Sequence, residues 1–305
     1  MYKRQLASRF PDVEIPDVSV PEFVLAGAQE RADSPALVDG LTGETITHGE
    51  LASYVARLAA ALHARGLHKG DVVAVFSPNT IWYPVVFHGI ASAGCVVSPV
   101  NALYTPDEIA FQLKDSGAKV LVTISAFLDR ALAATERQPV DEVVVLDGAE
   151  GHVSLRDLLT SDAPPVQVDI DPAEDLVTLP YSSGTTGLPK GVMLTHRNLV
   201  ANLEQTRVGW RLTADDVLAG VLPFFHIYGF TIILNSALLA GATLVTMPRF
   251  DLRGYLQVVQ EHGVTRGHFA PPLVLTLATA PEVVEYDLST PVSYTHLTLP
   301  TILRV

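Results

Sequence analysis

The chain has 305 residues, with 20 Lys or Arg against 33 Asp or Glu, so its formal net charge is −13. This acidic balance disfavours nucleic acids and anionic membranes as main partners, because both bind positively charged surfaces. Cys95 is the single cysteine, which excludes a disulfide within the chain and suits a reducing compartment such as the cytoplasm. Its apolar neighbours predict a buried side chain and not a nucleophile.

Helix-like and strand-like segments alternate along the first half of the chain. Thr47 and Glu50 are spaced as a capping box, and apolar residues recur behind them at helical intervals. Thr105 and Pro106 mark another helix start. Apolar runs between the helices predict buried strands at 71–76, 95–99, 120–123 and 143–146. The alternation predicts an α/β fold, with a mainly parallel sheet flanked by helices on both faces.

A second alternating set follows residue 195. It predicts helices at about 196–210, 228–240 and 251–262, strands at 217–222, 243–247 and 264–269, and an apolar helix after Pro272. Residues 217–248 contain no Asp, Glu, Lys or Arg, and their length alone would permit a membrane span. Pro223, His226 and Asn235 interrupt this segment and no basic cluster flanks it. We therefore predict a buried helix between two core strands and no integral membrane segment.

Residues 179–192 combine the groups that bind a polyphosphate. Glycines let backbone N–H groups approach a ligand, hydroxyls donate hydrogen bonds, and Lys190 adds a mobile positive charge. The segment is not a Walker A motif, because Pro189 and Val192 stand where the second glycine would fall. The alternative is a flexible polar surface loop. The candidate nucleotide-binding residues are Ser182, Ser183, Gly184, Thr185, Thr186, Gly187 and Lys190.

Two later segments place a histidine among apolar residues. His226 lies in the run Leu222–Gly229, and a histidine among aromatic residues is usually part of the core. His268 lies near the end of the predicted strand 264–269, and the alternative role of Pro271 and Pro272 after it is to stop that strand. Neither His262 nor His268 has the neighbouring acids or cysteines that predict a metal site.

Residues 179–192 resemble, nearly residue for residue, the phosphate-loop signature of the adenylate-forming (AMP-binding) superfamily. That superfamily includes acyl-CoA synthetases, 4-coumarate–CoA ligases, luciferases and peptide-synthetase adenylation domains. The resemblance implies a loop that closes over ATP, with Lys190 neutralising phosphate charge as pyrophosphate leaves. Residues 222–229 resemble the family's aromatic–histidine segment, and residues 268–273 resemble, more weakly, a strand and turn near its acyl pocket. The implied substrate contacts are Phe225, His226, Tyr228, Gly229 and Pro272.

The resemblance also implies a reaction, the ATP-dependent activation of a carboxylic acid followed by thioester formation with coenzyme A. The aromatic–histidine segment favours a 4-coumarate ligase or a medium- or long-chain acyl ligase, in phenylpropanoid or fatty acid metabolism. ATP, Mg²⁺ and coenzyme A are the implied cofactors. No Mg²⁺ ligand is identified in this chain, since the family's glutamate for Mg²⁺, its ribose-binding aspartate and its lid lysine all lie further downstream.

We therefore expect an N-terminal domain fragment that is itself inactive. The alternatives are a nucleotide-binding fragment without turnover and an adenylation domain of a peptide synthetase. Residues 1–5 and 291–305 resemble translated sequencing adapter and are interpreted as artefact. Between them, residues 6–175 are expected to form a first α/β lobe, and residues 176–290 the phosphate loop and a second lobe.

Overall fold

The computed structural model describes residues 10–182, 189–290 and 293–296, the last four by their backbone alone. The strands in these residues are β1 (Pro35–Asp39), β2 (Thr45–Thr47), β3 (Val72–Phe76), β4 (Val96–Pro99), β5 (Ala118–Thr123), β6 (Glu142–Val145), β7 (Val153–Ser154), β8 (Leu176–Thr178), β9 (Tyr181–Ser182), β10 (Lys190–Gly191), β11 (Leu194–Thr195), β12 (Val217–Gly220), β13 (Thr243–Thr246), β14 (Arg266–Phe269) and β15 (Ser293–His296). Helices separate most of them, which confirms the predicted α/β class.

The helices begin and end close to the residues that the sequence indicates. They are α1 (Val20–Leu25), α2 (His48–Ala64), α3 (Trp82–Ser92), α4 (Pro106–Ser116), α5 (Leu128–Thr135), α6 (Leu155–Leu159), α7 (His196–Trp210), α8 (Ser236–Ala240), α9 (Leu252–His262) and α10 (Pro271–Thr279), with a π-helix at Tyr228–Asn235 and 3-10 turns at Ser125–Phe127 and Pro281–Glu285. Thr47 forms the predicted capping box with Glu50, and Thr105, the predicted start of another helix, forms a second box with Glu108. Each box satisfies backbone N–H groups that the first helical turn leaves free.

A seven-stranded sheet carries most of the first half of the chain. Its strand order is β11-β8-β4-β3-β5-β6-β7, and every neighbouring pair is parallel except β8 with β11. Strand β3 lies near the middle, and four of its five residues are buried. Parallel strands are covered on both faces, which explains the continuous apolar runs in the sequence.

The second sheet has six strands in the order β15-β14-β12-β13-β1-β2. Strand β1 pairs in parallel with β13, so that Leu37 lies opposite Leu244. Each sheet therefore takes strands from both sides of residue 175, because β1 and β2 belong to this sheet whereas β8 and β11 belong to the other. Strand β15 comes from the segment interpreted as adapter, and backbone pairing at a sheet edge makes no demand on side-chain identity.

The two sheets share one hydrophobic core. A single cluster of buried apolar side chains includes Val73 and Val97 of the first sheet together with Leu218 and Leu244 of the second. Helices α2 and α3 approach closely over Gly89, where an added Cβ would lie 2.6 Å from a Leu58 methyl group. The shared core fixes the strand ends of both sheets relative to each other.

The uncharged segment 217–248 is part of this core. It forms β12, the π-helix, α8 and β13, as the predicted order of strand, helix and strand requires. Buried side chains in it include Phe230, Ile233 and Leu234. Within the described residues, no helix is long and apolar enough to cross a membrane.

Candidate active site

Two short strands near the ends of the segment predicted to bind phosphates pair to form a hairpin. Strands β9 and β10 are antiparallel, and Lys190 lies directly opposite Ser182. Side chains of directly opposed residues lie on the same face of a hairpin. Both residues are exposed, so the hydroxyl and the ammonium group are available to a ligand. The predicted residues Ser183, Gly184, Thr185, Thr186 and Gly187 lie outside the described residues.

The base of the hairpin is joined to α4. The Tyr181 hydroxyl donates a hydrogen bond of 2.6 Å to Oδ2 of Asp115. Partial burial, and then the neighbouring carboxylate, raise the pKa of Tyr181, so the phenol stays protonated. Gly191 lies against the same ring, since a Cβ there would be 3.3 Å from it. The hydrogen bond and the ring contact fix where the hairpin leaves the sheet.

A cleft of about 520 Å³ joins the hairpin to the aromatic–histidine segment. We call it the central cleft, and it lies beyond the carboxyl ends of β4 and β12, a usual place for ligands in parallel sheets. It brings Ser182 together with Phe225 and His226. The lining residues are Pro99, Asn101, Tyr104, Gln112, Pro180, Tyr181, Ser182, Val192, Leu194, Phe225, His226 and Ile227.

The backbone after β12 makes a tight turn that presents His226. The N–H of His226 bonds to the carbonyl of Pro223 at 3.2 Å, and the N–H of Tyr228 donates to His226 Nδ1 at 3.2 Å. Gly229 is buried directly under this turn, and an added Cβ there would overlap the Pro223 carbonyl oxygen. His226 itself is exposed and half-buried Phe225 precedes it, so His226 is not a core histidine.

Asn79 also holds this turn, and the sequence analysis did not single it out. Its side chain is 4% exposed and bonds to the backbone of three residues, Gly220, Leu222 and Phe224. The available signal was a polar residue close behind the buried strand β3, where parallel strands usually present functional side chains.

The family follows from comparison with known proteins. A family model described as "AMP-binding enzyme" matches residues 25–299, most of the chain. The chain belongs to the AMP-binding enzyme family. This finding confirms the resemblance seen in residues 179–192.

Individual relatives agree with this family. The chain is 44% identical over 290 residues to "4-coumarate--CoA ligase-like 9" of Oryza sativa subsp. japonica, covering 92% of this chain and 52% of that protein. A long-chain-fatty-acid-CoA ligase (FadD1) from Archaeoglobus fulgidus is similar in structure, with a TM-score of 0.85 and 29% identity, covering 96% of this chain and 59% of that one. ATP-bound MatB from Rhodopseudomonas palustris has a TM-score of 0.77 at 29% identity, covering 93% of this chain and 56% of MatB.

The chain spans about half the length of the curated relatives that it matches, 52% in the rice protein. The described part of this AMP-binding enzyme contains no group of three His, Cys, Asp or Glu side chains placed to hold a metal ion. A nucleotide fits the chemistry of the hairpin, where an exposed hydroxyl and an exposed ammonium group share one face.

The remaining predicted contacts, Tyr228, Gly229 and Pro272, are not among the residues that line the central cleft. Tyr228 is half-buried at the start of the π-helix, and Pro272 is exposed in the first turn of α10. The π-helix is stabilised by Asn235, whose amide donates to the carbonyl of Phe230 at 3.1 Å. π-Helical turns are frequent at functional sites, and the sequence periodicity predicted only an ordinary helix there.

Residues 268–273, which resemble a strand and turn near the family's acyl pocket, contact the aromatic–histidine segment 222–229 through His268. The imidazole of His268 stacks on Trp210 with ring centroids 4.7 Å apart, and the Tyr228 ring lies 6.2 Å away, edge-on. His268 is 2% exposed. Burial lowers the pKa of His268 to about 4, so the ring is neutral at pH 7.

Cys95 is fully buried, as the sequence predicts. Burial raises the pKa of its thiol to about 12, which keeps the sulfur protonated and unreactive at neutral pH. Cys95 thus acts as a small apolar side chain of the core.

Proposed function

We propose that this chain is the N-terminal part of an ATP-dependent acid–CoA ligase. The observation that carries the proposal is the central cleft, which places the phosphate-loop hairpin at Ser182 beside Phe225 and His226. One end of the cleft offers a hydroxyl with Lys190 across the hairpin, and the other offers aromatic and apolar side chains. A molecule with a polyphosphate at one end and an acyl group at the other matches both.

The proposed reaction has two steps. A carboxylate oxygen attacks the α-phosphorus of ATP, the bond to the β-phosphate oxygen breaks, and acyl-adenylate and pyrophosphate form. The thiol of coenzyme A then attacks the acyl carbon, loses its proton, and displaces AMP to give a thioester. Lys190 neutralises charge on the leaving pyrophosphate, and Ser182 donates a hydrogen bond to the phosphates.

Phe225 and His226 are proposed to contact the acid, since both line the central cleft. Aromatic contacts suit an aryl or a long alkyl acid better than a small polar one. The curated relative from rice is named a 4-coumarate–CoA ligase-like protein, which supports an aryl acid of the phenylpropanoid type. We propose a cytoplasmic location, in keeping with the single buried thiol.

The test is ATP–pyrophosphate exchange by an intact ligase that contains this chain, measured across matched aryl and alkyl acids. Exchange that depends on a particular acid, followed by thioester formation with coenzyme A, supports the proposal. An active protein that exchanges pyrophosphate but transfers the acyl group only to a carrier protein would identify a peptide-synthetase adenylation domain instead. No exchange with any acid would overturn acid activation.

ATP binding is measured separately on the 305-residue chain by calorimetry. Binding without turnover there, together with turnover by the intact ligase, assigns the nucleotide site to this chain. Absence of ATP binding by the folded chain would contradict the proposed role of the hairpin.

A further inference from the structure

The loop after β3 places the side chain of Asn79 against the carboxyl end of β12 in the neighbouring sheet. Asn79 lies three residues beyond Phe76, the last residue of β3, and the residue is 4% exposed. Nδ2 donates to the carbonyl oxygens of Gly220 at 3.0 Å and Leu222 at 2.9 Å. Oδ1 accepts from the N–H of Phe224 at 2.8 Å. Gly220 is the last residue of β12, and Leu222 and Phe224 lie in the turn that follows it.

These three bonds require a primary amide. The two carbonyl oxygens need two donors, and the N–H of Phe224 needs an acceptor, all within reach of one short side chain. Among the side chains of this length, only asparagine combines an NH₂ group with a carbonyl oxygen. Aspartate keeps the acceptor and loses both donors, and it adds a buried charge.

The contact connects the two sheets next to the central cleft. Strand β3 belongs to the seven-stranded sheet and β12 to the six-stranded sheet, so Asn79 sets the position of one strand end against the other. Phe225 and His226 directly follow Phe224 in the chain and line the cleft. The Phe224 ring packs edge-on against Tyr83 of α3, with centroids 5.7 Å apart, which holds the turn on the same side.

We propose that Asn79 is a positioning residue that fixes the Phe225–His226 turn for the acid substrate, an inference that rests on the proposed ligase function. It contacts no reacting atom and acts through the backbone of Phe224. Its loss displaces Phe225 and His226 and leaves the hairpin at Ser182 and Lys190 in place. The effect on the acid is therefore distinct from the effect on ATP.

The kinetic test uses Asn79→Ala and Asn79→Asp in the intact ligase. We expect both to raise KM for the acid and to lower kcat/KM for the acid by about 10- to 100-fold at pH 8, since misplacement by about 1 Å has effects of this size. KM for ATP changes less than threefold. Asn202→Asp, on the exposed face of α7, is the matched control and leaves all constants unchanged.

Lowering the pH distinguishes the effect of losing the hydrogen bonds of Asn79 from the effect of losing its packing. Burial raises the pKa of the carboxyl group that Asn79→Asp introduces, and once protonated this group donates one hydrogen bond again. Activity relative to the unsubstituted enzyme should therefore recover about threefold or more between pH 8 and pH 6 in Asn79→Asp, and should stay constant in Asn79→Ala. Circular dichroism at both pH values confirms that each variant is folded.

A spectroscopic measurement on the 305-residue chain does not depend on catalysis. The ¹⁵N signal of His226 Nδ1, assigned with His226→Gln, reports the hydrogen bond from the Tyr228 N–H. We expect Asn79→Ala to shift this signal and Asn202→Asp to leave it in place. A folded Asn79→Ala with an unchanged His226 signal would overturn the proposal, as would equal increases in KM for ATP and acid. If the ligase accepts no acid, the proposed function fails and the His226 signal still decides whether Asn79 holds the turn.

Discussion

The Tyr181 hydroxyl donates a hydrogen bond of 2.6 Å to the Asp115 carboxylate, which joins the first strand of the β9–β10 hairpin to the last turn of α4. The two residues are 66 positions apart, and Tyr181 lines the central cleft. The hairpin thus has a rigid base, although only two residue pairs join its strands.

Removing this bond should weaken ATP binding more than it weakens the fold. We expect Tyr181→Phe to lower ATP affinity by roughly 3- to 10-fold, because one hydrogen bond contributes about 0.5–1.5 kcal/mol. Asp115→Ala should give the same loss, and the double variant little more, since the two side chains act as a pair. Calorimetry on the 305-residue chain measures the affinities. Fully additive losses would show that the pair is not coupled.

Lys190 should matter for catalysis and hardly at all for stability. Its side chain is exposed in β10, and exposed substitutions usually change the free energy of unfolding by less than about 0.5 kcal/mol. We expect Lys190→Ala in the intact ligase to slow pyrophosphate exchange by about 100- to 1000-fold, the typical effect of losing one transition-state contact. Lys114→Ala, also exposed, is the control. An undiminished rate would contradict charge neutralisation by Lys190.

Gly229 should be irreplaceable for steric reasons. A Cβ there overlaps the Pro223 carbonyl oxygen, and the backbone of a packed turn moves with difficulty. We expect Gly229→Ala to lower the free energy of unfolding by about 2 kcal/mol or more. Gly209→Ala in α7 meets only Phe10 at 3.8 Å and should stabilise by up to about 1 kcal/mol, because alanine favours helix. Urea unfolding of both variants measures the difference, and equal effects would refute the steric explanation.

Acid should destabilise the fold through buried histidines. Burial lowers the pKa of His268 and of His196 to about 4, and that of His88 to about 3, from 6.5. The unfolded chain therefore takes up protons first as the pH falls below 6.5, so the free energy of unfolding decreases from there until the folded-state pKa values are reached.

The contribution of one histidine is measurable. Between pH 7 and pH 5, a shift from 6.5 to 4 corresponds to about 2 kcal/mol. We expect His268→Phe to reduce the loss of stability over this interval by that amount, while its stacking on Trp210 is kept. Urea unfolding at both pH values checks this. An unchanged difference would show that His268 takes no part in the acid sensitivity.

Local features of the fold could be predicted from the sequence. The capping box at Thr47 depends on residues three positions apart and forms as predicted, and Thr105 begins a helix as predicted. The helix His196–Trp210 was predicted with the bounds that the structure has. The aromatic–histidine segment was found by resemblance, because the spacing around His226 alone is that of a core histidine.

Long-range contacts could not be predicted in the same way. The pairing of β1 with β13 joins residues about 200 positions apart. The sequence of an apolar run such as Pro35–Asp39 does not indicate which strand it pairs with. The amide of Asn79 finds its three partners more than 140 positions away. The N–H of Val20 donates to Nδ1 of His196, which is 176 positions distant. Such contacts depend on how the two sheets pack.

The pairing of β1 with β13 has a consequence during synthesis on the ribosome. Val38 emerges long before Val245, its partner in the parallel pair. At about 5–20 residues per second, translation takes roughly 10–40 s to cover that distance. For this time β1 can pair with β2, but its other edge, with Ala36, Leu37 and Val38, has no partner, and an unpaired strand edge of apolar residues is prone to aggregation.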